Sequence, residues 1–563
     1  MKQLLYSVFL LTFFSISITV FSQENTLITT MNEELLRSMK ELSSQKQAPF
    51  FISYMITDRT ATSIAGSLGK LEDDEKIQER FLDIDVRVGN HQLDNTHTIR
   101  GNRINFTASK GLAVPMPLTE NPKAIKTLLW YNTDKAFKAA EEQYLKVKTN
   151  IAVKVSDEDS SADFSNEQAL VDYSNTFTTP SIPNNTQDVI RFASERFKIY
   201  PFITNSKVYF QSEFTTKYFV NSEGSKLSWS EGSYRVFIIA STKADDGMVL
   251  PLFRSFFAHT TGSLPSKETL VATIDSMAIL LAELKKAPLT DTYSGPAILS
   301  GEASGVFFHE IFGHRVEGHR QKDPNSSQTF KGFVGKPILP DFIDVVFDPT
   351  IKFLEGREVH GYVTYDDQGV KGKKVVAVEN GIFKEFLMSR SPIEGFPVSN
   401  GHGRKQMGYV PVSRQSNLIV RSRNTVSVKE LKDLLRKECK EQNKEYGLYF
   451  VEISGGFTFT SRTIPNSFTV QPLVVYKIYE DGRPDELVRG VDMIGTPLTT
   501  FQNIVTTGDD LGIFNGICGA ESGNVPVSAS SPSILVSTVE VQKKSKSQAK
   551  PPILESPSLL NNP

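Results

Sequence analysis

The 563-residue chain has little of the residues that carry most side-chain chemistry: two cysteines, two tryptophans and eight histidines. Two cysteines exclude a disulfide framework and allow one bridge at most. Neither sign of charge dominates. The 62 basic and 64 acidic side chains leave a formal net charge of −2, which argues against the basic footprint of a nucleic-acid-binding protein. Beyond the N-terminal segment no run of about 18 uninterrupted apolar residues occurs, so the body of the chain offers no membrane helix. What is present is ordinary globular material: 39% hydrophobic, 10% aromatic and 22% charged residues. The length exceeds what one hydrophobic core usually serves, so at least two domains are expected.

Residues 1–22 read as an export signal. Lys2 is their only charge, Leu4 to Phe21 are apolar apart from small hydroxyl residues, and Val20-Phe21-Ser22 offers a cleavage site before Gln23. The alternative is an uncleaved anchor, because the run approaches the roughly 20 residues that a membrane helix needs. With the signal removed, the expectation is an exported protein, periplasmic or secreted, with no stable membrane span.

Residues 23–290 are expected to form an N-terminal mixed α/β domain. Leu27, Met31, Leu35, Met39 and Leu42 recur at helical spacing, and further helices are expected over about Pro122–Lys148 and Lys267–Lys286. Strands are expected at Phe50–Ile56, Leu82–Val88, Val208–Phe214, Lys217–Asn221 and Tyr234–Ser241, with the polar stretch Val155–Asn185 as a loop. Residues 291–542 are strand-rich, with turn signals at Asn380-Gly381 and Asp481-Gly482. One helix interrupts them, opened at Ser427 by a capping box with Glu430. It places Leu431, Leu435 and Cys439 on one face, so Cys439 reads as a small core hydrophobe. Residues 543–563 are rich in Lys, Ser and Pro and read as a disordered tail. The fold class is α+β.

The strongest local signal is His309-Glu310-Ile311-Phe312-Gly313-His314, in an apolar stretch that Ser304 could cap. Two imidazoles with a carboxylate beside the first are the parts of a zinc hydrolase. In the usual zinc motif the two His are four apart on one helix face. Here they are five apart, about 140° around a regular helix, so a shared metal requires the helix to bulge, kink or end between them. Gly313 makes such a distortion plausible. A single His in an apolar segment is usually a packed, hydrogen-bonded residue, but a charged Glu310 amid Phe307, Phe308, Ile311 and Phe312 would be costly to bury without a partner. Candidates for a third ligand are His319, His259, His360, His402, Cys439, Cys518 and many carboxylates. Cys518 stands out because it is flanked by Gly516 and Gly519, although a free thiol in a Gly-rich turn is an equal reading.

At these residues the sequence resembles the TldD/PmbA family of metalloproteases. The resemblance runs from His309-Glu310 to His314 with Glu317-Gly318, through Tyr365-Asp366-Asp367-Gln368-Gly369-Val370 and Glu379-Asn380-Gly381-Ile382-Phe383-Lys384. It continues with Asn400-Gly401-His402-Gly403-Arg404, Gly455-Gly456, Gly516-Ile517-Cys518-Gly519 and Val525-Pro526-Val527. Val220-Asn221-Ser222-Glu223-Gly224 adds an upstream match, and together these span roughly residues 190–540. The resemblance implies a zinc peptidase with one Zn2+ per chain held by His309, His314 and Cys518, and Glu310 as catalytic acid/base. It also implies an N-terminal α/β domain followed by a C-terminal domain dominated by curved antiparallel β-sheet. The implied partners are short or unfolded peptides as substrate, and a second subunit in a homodimer or a heterodimer with a related chain.

Three features depart from the family pattern: the export signal, a longer segment between about Leu71 and Leu118 that suggests an added subdomain, and the tail. Rival readings are a cysteine peptidase with Cys518 as nucleophile and His309 or His314 as base, an exported non-catalytic metal-binding scaffold, and a Cys439–Cys518 disulfide.

Overall fold

The structure, a computed structural model, describes residues 25–99, 113–152, 159–323, 326–458, 468–495, 497–544 and 554. The expected export signal lies outside these residues, as does the expected tail beyond Lys544 apart from Leu554. Among the described residues no helix is long and apolar enough to cross a membrane.

The N-terminal half is built on one seven-stranded sheet. Two 19-residue strands, Pro49–Ser67 and Lys70–Val88, pair antiparallel along their whole length. Leu68 and Gly69 make the turn between them, at φ 48° and 79°. Sequence patterning reveals only the ends of these strands near Phe50–Ile56 and Leu82–Val88. The distal part of the second strand is exposed and polar, as in Glu72-Asp73-Asp74-Glu75, so no apolar alternation marks it. Leu68 also stands where a tight hairpin usually shows Asn, Asp or Gly. Lys70–Val88, the first part of the segment expected to be longer than in the family, is therefore integral to the sheet; residues 100–112 lie outside the described residues.

Pro49–Ser67 pairs on its other side with Asn205–Asn221, followed in order by Lys226–Lys243 and Val249–Ala258. The strands expected at Val208–Phe214 and Lys217–Asn221 are one, because the intervening Thr215 and Thr216 are β-branched and continue the ladder. Within the expected loop, Val171–Asn175 adds a parallel strand beside Lys226–Lys243. Helix Thr26–Leu42 sets Leu27, Met31 and Leu35 against Ile52, Tyr54 and Ile56, and Pro122–Ala152 contributes Ile125 and Leu129 to the same cluster. A second cluster forms where Thr186–Glu195 and Lys267–Lys286 pack around Phe210, Tyr234 and Ile238.

The C-terminal half closes a small barrel. Tyr293–Leu299 pairs in parallel with Tyr446–Thr458 and antiparallel with Ile534–Lys543; Phe468–Tyr479 and Val491–Gly495 complete the circuit. A six-stranded sheet runs from Ile382–Phe383 through Val375–Glu379, Ile343–Phe347 and Asn417–Ser422 to Gly523–Ser531 and Gly512–Ala520. Most pairs are antiparallel, with parallel joints such as Asn417–Ser422 beside Gly523–Ser531. The chain is a mixed α+β protein.

The local signals in this half have clear physical origins. Asn380 and Gly381, at φ 51° and 73°, form the tight turn of their hairpin. Ser427 Oγ accepts the Glu430 amide at 3.2 Å and opens helix Val428–Glu441. Leu431, Leu435 and Cys439 are fully buried against Ile298, Ile478 and Leu535. Leu435→Ala is expected to cost about 2–5 kcal/mol of stability through the cavity it leaves. Chemical denaturation reads this, and a loss below about 1 kcal/mol would contradict the packing.

Candidate metal centre

Strand Tyr293–Leu299 leads directly into helix Gly301–Ile311, which carries the His-Glu motif. Ser300 is the cap: its Oγ accepts the Ala303 amide at 3.2 Å and donates to the Val451 carbonyl at 2.7 Å. This corrects the expectation for Ser304, which lies inside the helix with its Oγ 2.7 Å from Ser531 Oγ. The helix starts early because Gly301 and Gly305 let it lie on the backbone of the hairpin Gly512–Ser531. A Cβ at these positions would sit 2.4 Å from Gly512 N and 2.7 Å from the Ala529 carbonyl oxygen. Residues 303–311 are all buried, which is why the helix is apolar on every side.

The helix ends between the two histidines. After Ile311, Phe312 caps the C-terminus and Gly313–Arg315 form a 3₁₀ turn, which returns His314 toward His309 with ring centroids 5.0 Å apart. Gly313 leaves room for the Gln415 amide, since a Cβ would lie 1.9 Å from Gln415 Oε1 and displace it. The buried Arg315 donates from Nη1 to the Glu310 and Ile311 carbonyls at 2.9 and 3.0 Å, satisfying the helix end.

The antiparallel pair Gly512–Ala520 and Gly523–Ser531 delivers Cys518 to the same place. One ligand atom each from His309, His314 and Cys518 lie within 4.8 Å of one another, and all three residues are buried. Cys518 Sγ is 3.4 Å from His314 Nε2. Burial pushes the Cys518 thiol up, but the two imidazoles outweigh it and hold the thiol well below its usual range. His309 Nδ1 is buried and has no hydrogen-bond partner among the described residues. Two imidazoles and a thiolate with converging lone pairs, one ring still unsatisfied, fit a borderline-soft cation such as Zn2+.

A buried ionic shell fixes these donors. Glu317 Oε2 lies 3.2 Å from His314 Nδ1 and accepts from Arg320 Nε at 2.9 Å, and Arg414 Nε is 3.5 Å from the same carboxylate. Burial alone would raise Glu317, but His314 and Arg320 bring it down to about 2. Arg414 also donates to the Cys518 carbonyl at 2.7 Å, so one guanidinium ties the cysteine strand to the residue that orients His314. His319 is not a ligand; it pairs with Glu521, which also binds Arg320 Nη2 at 2.9 Å. Glu317 carried one sequence signal, its position three residues after His314 beside Gly318. Arg414 carried none.

The remaining candidates for a third ligand are placed elsewhere. His402 is fully buried between Asn400 Oδ1 at 3.0 Å and Ser416 Oγ at 3.1 Å. His360 Nδ1 faces the Gly516 carbonyl at 3.1 Å, and His259 Nε2 faces the Val359 carbonyl at 3.1 Å. Cys439 packs under its helix, where burial pushes its thiol up to about 12. Both cysteines are free, so no disulfide joins them.

Burial and Arg404 lower His402 to about 3. Its unfolded value is about 6.5. Between these values the unfolded chain binds a proton that the folded chain refuses, so His402 costs stability as pH falls through that window. His402→Gln is expected to flatten the acid limb of a stability–pH curve between about pH 6.5 and 3. An unchanged slope would contradict a neutral, buried His402.

Glu310 stands on the last turn of the helix, 8% exposed. Its side chain lies on Gly456 of the strand Tyr446–Thr458: a Cβ there would be 2.3 Å from Glu310 Cγ and 2.9 Å from Cδ. Gly456→Ala is therefore expected to displace the Glu310 carboxylate with metal content unchanged, and an unmoved Glu310 in a structure of the variant would contradict this contact.

Comparison with known proteins agrees with this geometry. Residues 291–543 match the family model described as PmbA/TldA metallopeptidase C-terminal domain. The chain is similar to a metalloprotease TldD homologue of Buchnera aphidicola, 28% identical over 295 residues, covering 51% of this chain and 56% of that protein. It is also similar to a zinc metalloprotease TldD homologue of Saccharolobus solfataricus, 26% identical over 365 residues, covering 63% and 75% respectively. The match thus spans little more than half the length of the first of these relatives. Among solved structures, one from Thermotoga maritima described as a modulator of a DNA gyrase superposes with a TM-score of 0.58 at 17% identity, covering 91% of this chain and 99% of that one. At that identity the likeness shows the fold. The family match and the buried His-His-Cys group coincide in residues 291–543, which are similar to the C-terminal domain of the PmbA/TldA metallopeptidases.

Proposed function

We propose that this chain is an exported zinc-dependent peptidase that hydrolyses peptide bonds in short or unfolded peptides. The observation that carries the reading is the buried convergence of His309, His314 and Cys518 at the end of a helix that also presents Glu310. His309, His314 and Cys518 would hold one Zn2+ per chain. When bound, zinc supplies Lewis-acid polarisation of the scissile carbonyl and of the attacking water.

The chain's own residues do the rest. Glu310 takes the proton of the attacking water at its carboxylate and passes it to the departing amine nitrogen. Glu317 holds His314 by Nδ1, so that Nε2 keeps its lone pair toward Cys518. Arg414 anchors the cysteine strand through the Cys518 carbonyl. Gly456 leaves room for Glu310 beside the barrel strand.

Export rests on the N-terminal 22 residues, and sequencing the mature N-terminus should find Gln23 first. An intact Met1 on the exported protein would favour the uncleaved anchor. Assembly as a homodimer, or a heterodimer with a related subunit, rests on the family resemblance.

One observation favours a second reading. The lowered Cys518 thiol, 3.4 Å from His314 Nε2, is also what a cysteine peptidase would use. Activity on an unfolded peptide, lost to a chelator and restored by added zinc, would support the metallopeptidase. Activity that survives the chelator but is lost to thiol alkylation would support the cysteine peptidase. A chain that binds zinc but cleaves no unfolded peptide would be the scaffold.

A further inference from the structure

A cavity of about 980 Å³ lies between the N-terminal sheet and the cysteine hairpin. Its walls include Lys217, Glu231 and Arg235 from the sheet, Asp367 and Arg404 from the second half, and Ile517 and Val525 of the hairpin. Val525 packs in one cluster with Cys518, so the cavity adjoins the structure that presents the proposed metal ligand.

Several of the charges on these walls are matched. Glu79 and Glu213 pair with Arg59 at 3.0 and 2.8 Å. Asp367 pairs with Lys217 at 2.7 Å, and Glu231 lies 3.7 Å from the same ammonium. Arg235 is 8% exposed and forms no ion pair with a carboxylate among the described residues. Its Nη2 donates to the Asn515 carbonyl at 3.0 Å and lies 3.2 Å from His360 Nδ1, while Phe237 and Phe257 flank the guanidinium at 5.1 and 5.5 Å. Nε and Nη1 donate to no described residue, and neither is among the buried atoms left without a partner, so both open onto the cavity. Burial by itself pulls Arg235 down to about 10. Arg404, 5% exposed, adds a second guanidinium, spent in part on the Gln415 carbonyl at 2.5 Å.

A buried guanidinium with donors unspent at Nε and Nη1 and no counter-ion favours a carboxylate, which either donor can take in a charge-assisted hydrogen bond. Asn515 precedes Cys518 by three residues on one strand, about 10 Å at roughly 3.3 Å per residue. That is the reach of about three extended residues of a bound peptide.

We infer that Arg235, with Arg404 beside it, anchors a carboxylate of the peptide substrate in this cavity and so sets which peptides are cut. The inference deepens the peptidase reading and rests on it. The carboxylate can come from a free C-terminus or from an acidic side chain near it.

The test uses the full chain carrying Glu310→Gln, so that binding is read without turnover. Fluorescently labelled unfolded peptides are compared in three forms: free C-terminus, C-terminal amide, and amide with Glu three residues from the end. The free form is expected to bind about tenfold or more tighter than the plain amide, equivalent to about 1.4 kcal/mol. Adding Arg235→Gln is expected to remove that preference, with Arg235→Lys intermediate because lysine keeps the charge but not the fixed placement of the guanidinium donors. A preference shown only by the Glu-containing amide, and lost in Arg235→Gln, would keep the anchor and assign it to side chains. Equal binding of all three forms by the Arg235-containing chain overturns the inference whether or not the variants fold, and so does a preference that persists without Arg235. Wild-type chain that cleaves free and amidated peptides equally in the presence of zinc would retain the peptidase and reject the anchor; cleavage of neither would instead reject the peptidase, and the binding comparison would still decide the anchor.

Discussion

Glu310→Gln is expected to lower kcat for peptide hydrolysis by about 10²–10⁴-fold, the range that a positioned general base contributes. Glutamine keeps the shape that sits on Gly456 and removes only the ability to accept a proton. Glu310 is not one of the three converging donors, so zinc content should not change. This separates the roles of two adjacent residues. His309→Ala should lose metal and activity together, whereas Glu310→Gln should lose activity alone. Full activity in Glu310→Gln would remove the base from the mechanism, and loss of zinc in the same variant would make Glu310 a ligand.

Glu317→Ala is expected to have the largest effect on the fold as well as the site. The carboxylate is fully buried and meets Arg320, Arg414 and His314. Removing one member of a buried ionic group typically costs about 3–5 kcal/mol, because opposite charges remain where water cannot reach them. It also frees the His314 ring, and losing such an orienting partner usually weakens metal binding by about 10–100-fold. Glu317→Gln is the control, keeping volume and one acceptor while removing the charge. It should fall between wild type and alanine in both melting temperature and zinc affinity.

The acid behaviour of this residue has a definite sign. Glu317 is held at about 2 in the folded chain. Its unfolded value is about 4.3. Its contribution is therefore present above about pH 4.3 and lost as pH falls toward 2. Wild type and Glu317→Gln should accordingly converge in stability in that acid window.

Much of the site could be read from sequence because its chemistry is concentrated in rare residues. His309, Glu310 and His314 form one short segment, and the five-residue spacing itself required the helix to stop between the histidines. The 3₁₀ turn at Gly313–Arg315 meets that requirement. Cys518 is a different case, since spacing left it no better than a free thiol and only the family resemblance singled it out. Arg414 and Gly456 act across 104 residues to Cys518 and from a different strand to Glu310, and no local pattern encodes such contacts.

The fold was readable where one face alone is buried. Leu27, Met31 and Leu35 form a stripe because water covers the opposite side of their helix. The distal strand from Lys70 was not readable, since its polar residues face solvent and its turn begins with Leu68. The polar start of the helix at Ser300 and Glu302 is harder to read than the apolar run after Ser304, and the glycine contacts that place the start become visible only with the hairpin in position.

The most direct test of the central claim is bound zinc per chain, measured by elemental analysis as a chelator removes it, in parallel with hydrolysis of an unfolded peptide. About one zinc per chain is expected, with activity falling in proportion to it, returning on re-addition, and absent with the metal in Cys518→Ala. Full activity at zero zinc, or a full complement of zinc in Cys518→Ala, would contradict the account.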